Sequence, residues 1–120
     1  VLCHAIIDAI IGAMGEGDIG KHFPDTDNKY KDASSIMFLK HIVEFSKSKG
    51  FEILWIDSTI IAERPKIALH IEAMKSAISQ TGIPAEFINI KAKTNEGMGF
   101  VGRGEGIAVQ AICLLRHAQS

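Results

Sequence analysis

FEILWIDSTIIA, from Phe51 to Ala62, is a run rich in β-branched and aromatic residues. Side chains of these types favour strands, so the run predicts a β-strand in the centre of a sheet. The segment Ala62 to Lys66, AERPK, follows it, and then come apolar residues at helical spacing: Ile67, Ile71, Met74 and Ile78. The predicted order is a strand, a tight loop and a helix N-terminus, and Pro65 suits the helix entry.

A second helix is predicted before this strand, from Asp32 to Lys49. Its apolar residues form a wide stripe at helical spacing: Ile36, Phe38, Leu39, Ile42, Val43 and Phe45. Asp32 or Ser34 can cap its N-terminus, and Gly50 ends it. We expect His41 to be an exposed or partly buried helix residue without a chemical role.

A third helix is predicted from Val1 to Met14, where apolar residues cover nearly all faces. Such a helix is expected to be largely buried and to be stopped by Gly15 and Gly17. Within it, His4 and Asp8 are one turn apart and share a face. The pair is either a satisfied pair of core residues or a metal-binding imidazole with a carboxylate that supports it.

Two more strands are predicted on the C-terminal side. Phe87 to Lys93 alternates, with Ile88, Ile90 and Ala92 on one face. Ile107 to Arg116 fits a strand or a helix by spacing. We interpret it as a strand, because a glycine-rich loop that joins two strands explains its flanks better.

The composition excludes several classes of protein. A chain of 120 residues with 47% apolar and 22% charged residues is typical of one globular domain. Its net charge of −1 offers no footprint for nucleic acid or an anionic membrane, and it contains no apolar run long enough to span a bilayer. Cys3 and Cys113 are too few for a disulfide framework or a zinc ribbon. We expect both to be buried apolar residues in a reducing compartment.

The glycine-rich stretch Lys91 to Gly106, KAKTNEGMGFVGRGEG, is the first candidate for function. Its glycines allow the backbone to approach a ligand closely. Thr94, Glu96 and Arg103 stand among them, a combination that suits a phosphate ester with a bound cation. The alternative is a flexible hairpin loop that carries these charges by chance.

Two other segments allow a similar choice. Gly17 to Asp27, GDIGKHFPDTD, fits neither a helix nor a strand. Its aspartates either build turns or accept hydrogen bonds from the hydroxyls of a sugar or polyol, and Phe23 either covers a ligand or plugs the loop. Lys66, in the first turn of its helix, either helps to hold an anion or belongs to an ordinary strand–helix connection.

Three stretches taken together resemble one family over nearly the whole chain. They are HAIIDAIIGAMGEGDIGKHFPDTD, the ERPK junction and KAKTNEGMGFVGRGEGIA, in this order and at similar intervals. The family is that of the 2-C-methyl-D-erythritol 2,4-cyclodiphosphate synthases of non-mevalonate isoprenoid biosynthesis. The resemblance implies cyclisation of 4-diphosphocytidyl-2-C-methyl-D-erythritol 2-phosphate with release of CMP, an intramolecular phosphoryl transfer.

The resemblance also implies a fold, an assembly and cofactors. The implied fold is α+β, with helices packed on one face of a small mixed or antiparallel sheet. The implied assembly is a homotrimer with sheets around the three-fold axis and active sites between subunits. Zinc is implied together with magnesium or manganese, and the implied location is the bacterial cytoplasm or the plastid. No nucleic-acid or membrane partner is implied.

The family's functional positions carry over one by one. Thr94 matches a residue that stabilises the transition state, Glu96 a magnesium ligand between two phosphates, and His4 one zinc ligand. Glu105 matches an acidic residue that orders the trimer core. Lys93 and Thr94 are implied to join the cytidine pocket from the neighbouring subunit. The other substrate-binding positions implied are Asp18, Ile19, Gly20, Phe23, Pro24, Asp25, Thr26, Asp27, Ala62, Glu63, Arg64, Pro65, Lys66, Ile67, Ala68, Asn95, Phe100 and Arg103.

The sequence departs from the family in two respects. The Asp-x-His pair that completes the zinc site is absent from these 120 residues, and Val1 lies directly inside the first helical pattern. We therefore expect one synthase domain, residues 1–120, without its N-terminal strands. Lys93 stands where many relatives carry threonine, which could alter the cytidine contacts.

Two alternatives to the synthase follow. One is a trimeric module that binds nucleotide or phosphate but is inactive, because part of the zinc site is missing. The other is a phosphate-binding α/β domain with unrelated chemistry.

Overall fold

A computed structural model describes residues 2–16, 34–63, 67–94, 96, 98–99 and 106–118. In chain order, the helices are α1 (Leu2–Met14), α2 (Ser35–Ser48) and α3 (Ile71–Ser79), and the strands are β1 (Phe51–Ile61), β2 (Ile88–Lys93) and β3 (Ala108–His117). Short 3-10 turns at Ile67–His70 and Ala85–Phe87 precede α3 and β2. The predicted strand at Ile107 to Arg116 is therefore confirmed. The helix predicted to begin at Ile67 starts instead as a 3-10 turn.

The described strands form one mixed sheet in the order β2-β1-β3, with β1 in the centre as predicted. β1 runs parallel to β2 and antiparallel to β3. The β1–β3 register shifts between Ile53 and Trp55, which is the signature of a β-bulge. In a regular strand, side chains three positions apart lie on opposite faces. Because the bulge adds one residue, Glu52 and Trp55 are nevertheless both exposed.

The core lies between the helices and one face of this sheet. α1 contacts β3 and α2, while α3 contacts β2. The fully buried side chains come from all three helices, from β1 and β2, and from the segment between α3 and β2. The largest are Ile6, Ile7, Ile10, Ile11, Leu39, Ile42, Ile56, Ile78, Ile83 and Ile88. Burying each isoleucine contributes about 1.5–3 kcal/mol. The α+β architecture with helices against a small mixed sheet is thus confirmed.

The prediction that α1 is buried on nearly all faces is wrong. Its buried residues follow one stripe, Ile6, Ile7, Ile10 and Ile11. Gly12 and Ala13 are exposed, because apolar character alone does not oblige a small residue to be covered.

The helix ends follow local chemistry. Ser34 caps α2 by accepting a hydrogen bond from the N–H of Met37 at 3.3 Å. After α1, the N–H of Gly15 donates to the carbonyl of Gly12 and the N–H of Glu16 donates to that of Ile11, both at 3.1 Å. This Schellman pattern needs a left-handed residue, and Gly15 supplies it with φ +74°. Gly15 therefore ends α1 as predicted, while Gly17 lies outside the described residues.

The opposite face of the sheet carries exposed apolar side chains. Ile112 is 73% exposed, Leu114 57% and Trp55 43%. Leu114 pairs with Trp55 across the β1–β3 ladder, and Ile112 pairs with Asp57. We call the surface formed by Trp55, Ile112 and Leu114 the open sheet face.

Candidate functional site

A cavity of about 330 Å³ lies where β1 and β2 end. It is lined by Ala62, Glu63, Ile67, Ala68, Leu69, Ala92, Lys93 and Thr94. β1 and β2 are parallel, so their carboxyl ends meet at the same edge of the sheet. Crevices outside the carboxyl ends of parallel strands are common ligand sites.

One backbone hydrogen bond holds the two walls of this cavity together. The N–H of Ala62, just after β1, donates to the carbonyl of Lys93 at 3.0 Å. Lys93 and Thr94 therefore share a cavity with Ala62 of the same chain. The parallel β1–β2 pairing brings these segments together within one chain, whereas the expectation that Lys93 and Thr94 join the cytidine pocket of a neighbouring subunit stays a prediction.

The walls of the cavity combine two kinds of surface. Alanine, isoleucine and leucine side chains provide an apolar lining, which we call the slot, while Glu63, Lys93 and Thr94 provide a carboxylate, an ammonium group and a hydroxyl. Ala62 is buried, and Ala68 and Leu69 are exposed at the mouth. An apolar slot that polar groups also line suits a heterocycle that carries a polar tail.

Thr94 and Glu96 form a tight turn at the end of β2. The N–H of Glu96 donates to Oγ1 of Thr94 at 3.4 Å. Glu96 has φ +52°, the left-handed region that a glutamate rarely occupies. Such strain of about 1–3 kcal/mol is often found at functional positions. Both residues are exposed, so their side chains are accessible to a ligand.

Lys91 and Lys93 lie two residues apart on β2 but differ in their partners. Nζ of Lys91 lies 2.9 Å from Oδ2 of Asp57 on β1. Nδ2 of Asn89 donates to the other oxygen of that carboxylate at 2.9 Å. The hydrogen bond from Lys91, followed by that from Asn89, lowers the pKa of Asp57 below its usual 3.8. Lys91 is thus committed to a cross-strand ion pair, whereas Lys93 lines the cavity.

His4 and Asp8 are both exposed on α1, so the interpretation of a buried core pair is wrong. The ring of His4 stacks on that of Phe38 with centroids 6.5 Å apart. Among the described residues, no group of three or more His, Cys, Asp or Glu is placed to hold a metal. The part of the chain that the structure describes therefore contains no complete metal site of this kind.

The two cysteines are half-buried and free, not fully buried as expected. Burial raises the pKa of both thiols, that of Cys113 to about 12. Cys113 is on the core side of β3, so its thiol has a packing role there.

Sequence reasoning missed two residues of the cavity, Leu69 and Ala92. Ala92 carries a usable signal, because it directly precedes Lys93 and Thr94 at the end of β2. Leu69 carries none, since it belongs to no motif. The predicted positions outside the described residues are Asp18, Ile19, Gly20, Phe23, Pro24, Asp25, Thr26, Asp27, Arg64, Pro65, Lys66, Asn95, Phe100, Arg103 and Glu105.

No helix in the described ranges has both the length and the apolar character needed to cross a membrane.

Comparisons with known proteins agree on one family. The family model YgbB matches residues 1–116. The chain is 55% identical to the 2-C-methyl-D-erythritol 2,4-cyclodiphosphate synthase of Methylobacillus flagellatus, over 99% of this chain and 75% of the relative. It is 58% identical to the enzyme of that name from Clostridium acetobutylicum, over 96% of this chain and 75% of the relative.

Solved structures share the fold. The bifunctional IspDF from Campylobacter jejuni superposes with a TM-score of 0.91 at 43% identity, over 98% of this chain and 32% of that one. The Plasmodium falciparum IspF in complex with CDP superposes with a TM-score of 0.86 at 31% identity, over 99% of this chain and 72% of that one.

Proposed function

We infer that this chain, which belongs to the YgbB family of 2-C-methyl-D-erythritol 2,4-cyclodiphosphate synthases, catalyses the family reaction. The substrate is 4-diphosphocytidyl-2-C-methyl-D-erythritol 2-phosphate. The products are 2-C-methyl-D-erythritol 2,4-cyclodiphosphate and CMP. The resemblance noted in the sequence is confirmed by the family match, and the synthase is supported over the inactive module.

The cavity at the ends of β1 and β2 is the observation that carries the proposal for the site. It brings together Ala62, Glu63, Ile67 and Ala68 with Lys93 and Thr94, residues that the family resemblance assigns to the cytidine pocket. We propose that the slot between Ala62 and Ala92 holds the cytosine ring. The solved Plasmodium falciparum relative in complex with CDP supports a nucleotide ligand for this fold.

The proposed chemistry is an attack within one molecule. An oxygen of the 2-phosphate bonds to the β-phosphorus, and the bond from that phosphorus to the oxygen of the α-phosphate breaks. CMP departs with that oxygen, so no water is consumed. Because both reacting groups belong to one substrate, holding them in line supplies most of the rate enhancement.

Thr94 has a specific part in this proposal. Its Oγ1 accepts the hydrogen bond from the N–H of Glu96, so the hydroxyl hydrogen remains available for an outside acceptor. We propose that this hydrogen is donated to an oxygen of the transferred phosphoryl group. A fixed donor of this kind stabilises charge that develops in the transition state.

The proposal gives a role to magnesium or manganese but none to zinc. A carboxylate together with substrate phosphates is the usual environment of Mg²⁺, so the exposed Glu96 fits a magnesium or manganese ligand. The bound cation would neutralise charge on the two phosphates. For zinc, the family resemblance assigns only His4 among the described residues, and no step of this proposal depends on that metal.

We also propose a homotrimer that buries the open sheet face. Trp55, Ile112 and Leu114 form an apolar patch on the side of the sheet opposite the helices. Exposed apolar patches of this kind often mark protein–protein contacts. Three copies arranged around an axis with these faces inward would remove the patch from water. The bacterial relatives favour the bacterial cytoplasm over the plastid as the location.

The test is to measure CMP release from the substrate with Mg²⁺ and Zn²⁺ supplied, with phosphorus NMR to identify the cyclic diphosphate. We expect CMP and cyclic diphosphate in equal amounts without orthophosphate. Thr94→Val and Glu96→Gln should each reduce kcat by about a hundredfold or more. Binding of CDP without any CMP release by the unaltered protein would contradict the synthase and leave a nucleotide-binding module.

A further inference from the structure

Glu52 and Arg116 form an ion pair at one end of the open sheet face. Nε of Arg116 donates to Oε2 of Glu52 at 2.9 Å. The two residues are partners in the β1–β3 ladder, and the next exposed pair along that ladder is Trp55 with Leu114. A charged rim therefore continues the apolar surface that we propose as the contact between copies of this chain.

The strand ends around this rim are fixed by their own contacts. The ring of His117 packs against that of Phe51 with centroids 4.6 Å apart. The N–H of Ala118 donates to the carbonyl of Gly50 at 2.6 Å. A cavity of about 340 Å³ opens beside the ion pair and is lined by Glu52, Arg116, His117 and Ala118. A side chain of a second molecule can thus reach the ion pair without any displacement of the strands.

The Glu52–Arg116 pair has hydrogen-bonding capacity left over. Among the described residues, the bond from Nε to Oε2 is the only side-chain hydrogen bond that either group makes. A guanidinium has further N–H donors on its two terminal nitrogens, and Oε1 of Glu52 is a further acceptor. The side chain of Arg116 is 61% exposed and that of Glu52 is 47% exposed. Both charges are therefore accessible to a second partner.

The other ion pair of the sheet is different in this respect. Both carboxylate oxygens of Asp57 already accept hydrogen bonds within the chain, one from Lys91 and one from Asn89, each at 2.9 Å. Asp57 is also less exposed, at 33% of its side chain. The carboxylate on the β2 side of the sheet is thus satisfied by its own chain, whereas the charges at the end of the β1–β3 ladder can bind another one.

We propose that Arg116 of each copy binds Glu52 of the next copy, so that the two charges alternate in a closed ring at this end of the open sheet face. This inference rests on the proposed function, because it takes the open sheet face as the contact of a homotrimer. Rotation about an axis brings unlike parts of one rim together. A rim that carries both charges side by side is therefore complementary to its own rotated copy.

Such a ring would determine how the subunits are oriented. An apolar patch gains free energy from burial in many orientations, because the hydrophobic effect is not directional. Charge pairs are directional in effect, since an orientation that brings like charges together is strongly disfavoured. Arginine suits this role because its planar group can hold two carboxylates in a fixed geometry. The apolar patch would supply affinity, and the ring would select one arrangement of the three copies.

The test uses Glu52→Arg and Arg116→Glu, which give the rim six like charges in a uniform trimer. Light scattering measures the protein concentration at which trimers form, and circular dichroism verifies that each variant is folded. We expect each variant to need at least about tenfold more protein than the unaltered chain. An equal mixture of the two should form mixed trimers, because contacts between unlike subunits then join opposite charges. Native mass spectrometry distinguishes mixed from uniform trimers by mass.

Glu72→Arg and Lys40→Glu are the matched controls, since they make the same kinds of charge change at exposed positions of α3 and α2. Both should form trimers as the unaltered protein does. Single rim variants that do the same would overturn the inference, and so would a mixture without mixed trimers, because the pair would then act only within its own chain. Failure of the proposed homotrimer is distinguishable, since the unaltered protein would then be monomeric, and failure of the synthase would appear as an absence of CMP release.

Discussion

The N–H of Ala62 donates to the carbonyl of Lys93 at 3.0 Å, and this bond joins the two walls of the cavity at the ends of β1 and β2. Ala62 is buried and Lys93 is exposed, so the bond links the core to the rim of the cavity. The width of the slot is therefore set by backbone pairing. Side chains on its walls can change its volume without altering the strands that carry them.

Ala92→Leu should fill the slot and weaken nucleotide binding. Ala92 is half-buried on the cavity wall, and a leucine there would occupy space that we assign to the base. Overfilling of this kind costs about 1–3 kcal/mol, which corresponds to a loss in CDP affinity of roughly 5- to 150-fold. Calorimetry with CDP measures the change. Ala73→Leu, at an exposed position of α3, is the control and should bind CDP normally.

Asp57→Asn should remove a pH-dependent contribution to stability. Lys91 and Asn89 lower the pKa of Asp57 in the folded protein below 3.8, so its carboxylate stabilises the fold above that pH. The contribution disappears as the pH falls through the lower folded pKa. Because the ion pair is partly exposed, we expect a difference below about 1 kcal/mol at pH 7.

Urea unfolding of Asp57→Asn and the unaltered protein between pH 7 and pH 2 measures this difference. The two free energies of unfolding should converge at the acidic end. Glu72→Gln, at an exposed position of α3, serves as the control. A difference that grows as the pH falls would show that Asp57 does not stabilise the fold through its charge.

The thiol of Cys113 should be nearly inert in the folded protein. Burial raises its pKa from 9.0 to about 12, so its thiolate fraction at pH 8 falls by about a thousandfold. Labelling with a thiol reagent should be slow in buffer and fast in urea. Cys3→Ser isolates Cys113 in this assay, and rapid labelling of that folded variant would contradict the assigned environment.

The sequence was sufficient for the helices, the strands and much of the cavity, for identifiable reasons. The β-branched run Phe51 to Ala62 fixes the central strand, and Ser34 and Gly15 supply end signals that depend on neighbouring residues alone. The ERPK and KAKTNE motifs pointed to both sides of the cavity. Local chemistry determines the strand and the helix ends, which is why a sequence can predict them, whereas the assignment of the two motifs to one pocket came from the family resemblance.

Features that depend on the register between paired strands could not be predicted from the sequence. The bulge that exposes Trp55 arises from the pairing of β1 with β3, and the Asp57–Lys91 ion pair arises from the pairing of β1 with β2. The exposed stripe of α1 was missed because Gly12 and Ala13 are apolar without being covered. The left-handed backbone of Glu96 had no signal either, since glutamate does not favour that conformation.

Leu114→Lys should disrupt the proposed trimer. Leu114 is 57% exposed in the centre of the open sheet face, where it pairs with Trp55. A lysine there would place like charges together around a three-fold axis. We expect light scattering to report a trimer for the unaltered protein and smaller species for the variant. Met37→Lys introduces the same charge on exposed α2 and should leave the trimer intact, while a trimeric Leu114→Lys would exclude this face as the interface.

Glu96→Asn should remove the carboxylate of Glu96 while keeping the left-handed backbone conformation at this position. Asparagine tolerates the left-handed region better than most residues, so the turn at φ +52° and its hydrogen bond to Thr94 should persist while the charge is lost. Since we assign this carboxylate to magnesium, kcat should fall by about a hundredfold or more, with the melting temperature unchanged or slightly raised. CMP release at increasing Mg²⁺ and thermal unfolding measure the two effects. Glu96→Gly relieves the backbone strain without a carboxylate, so it should be equally inactive, and normal turnover in either variant would exclude Glu96 as the magnesium ligand.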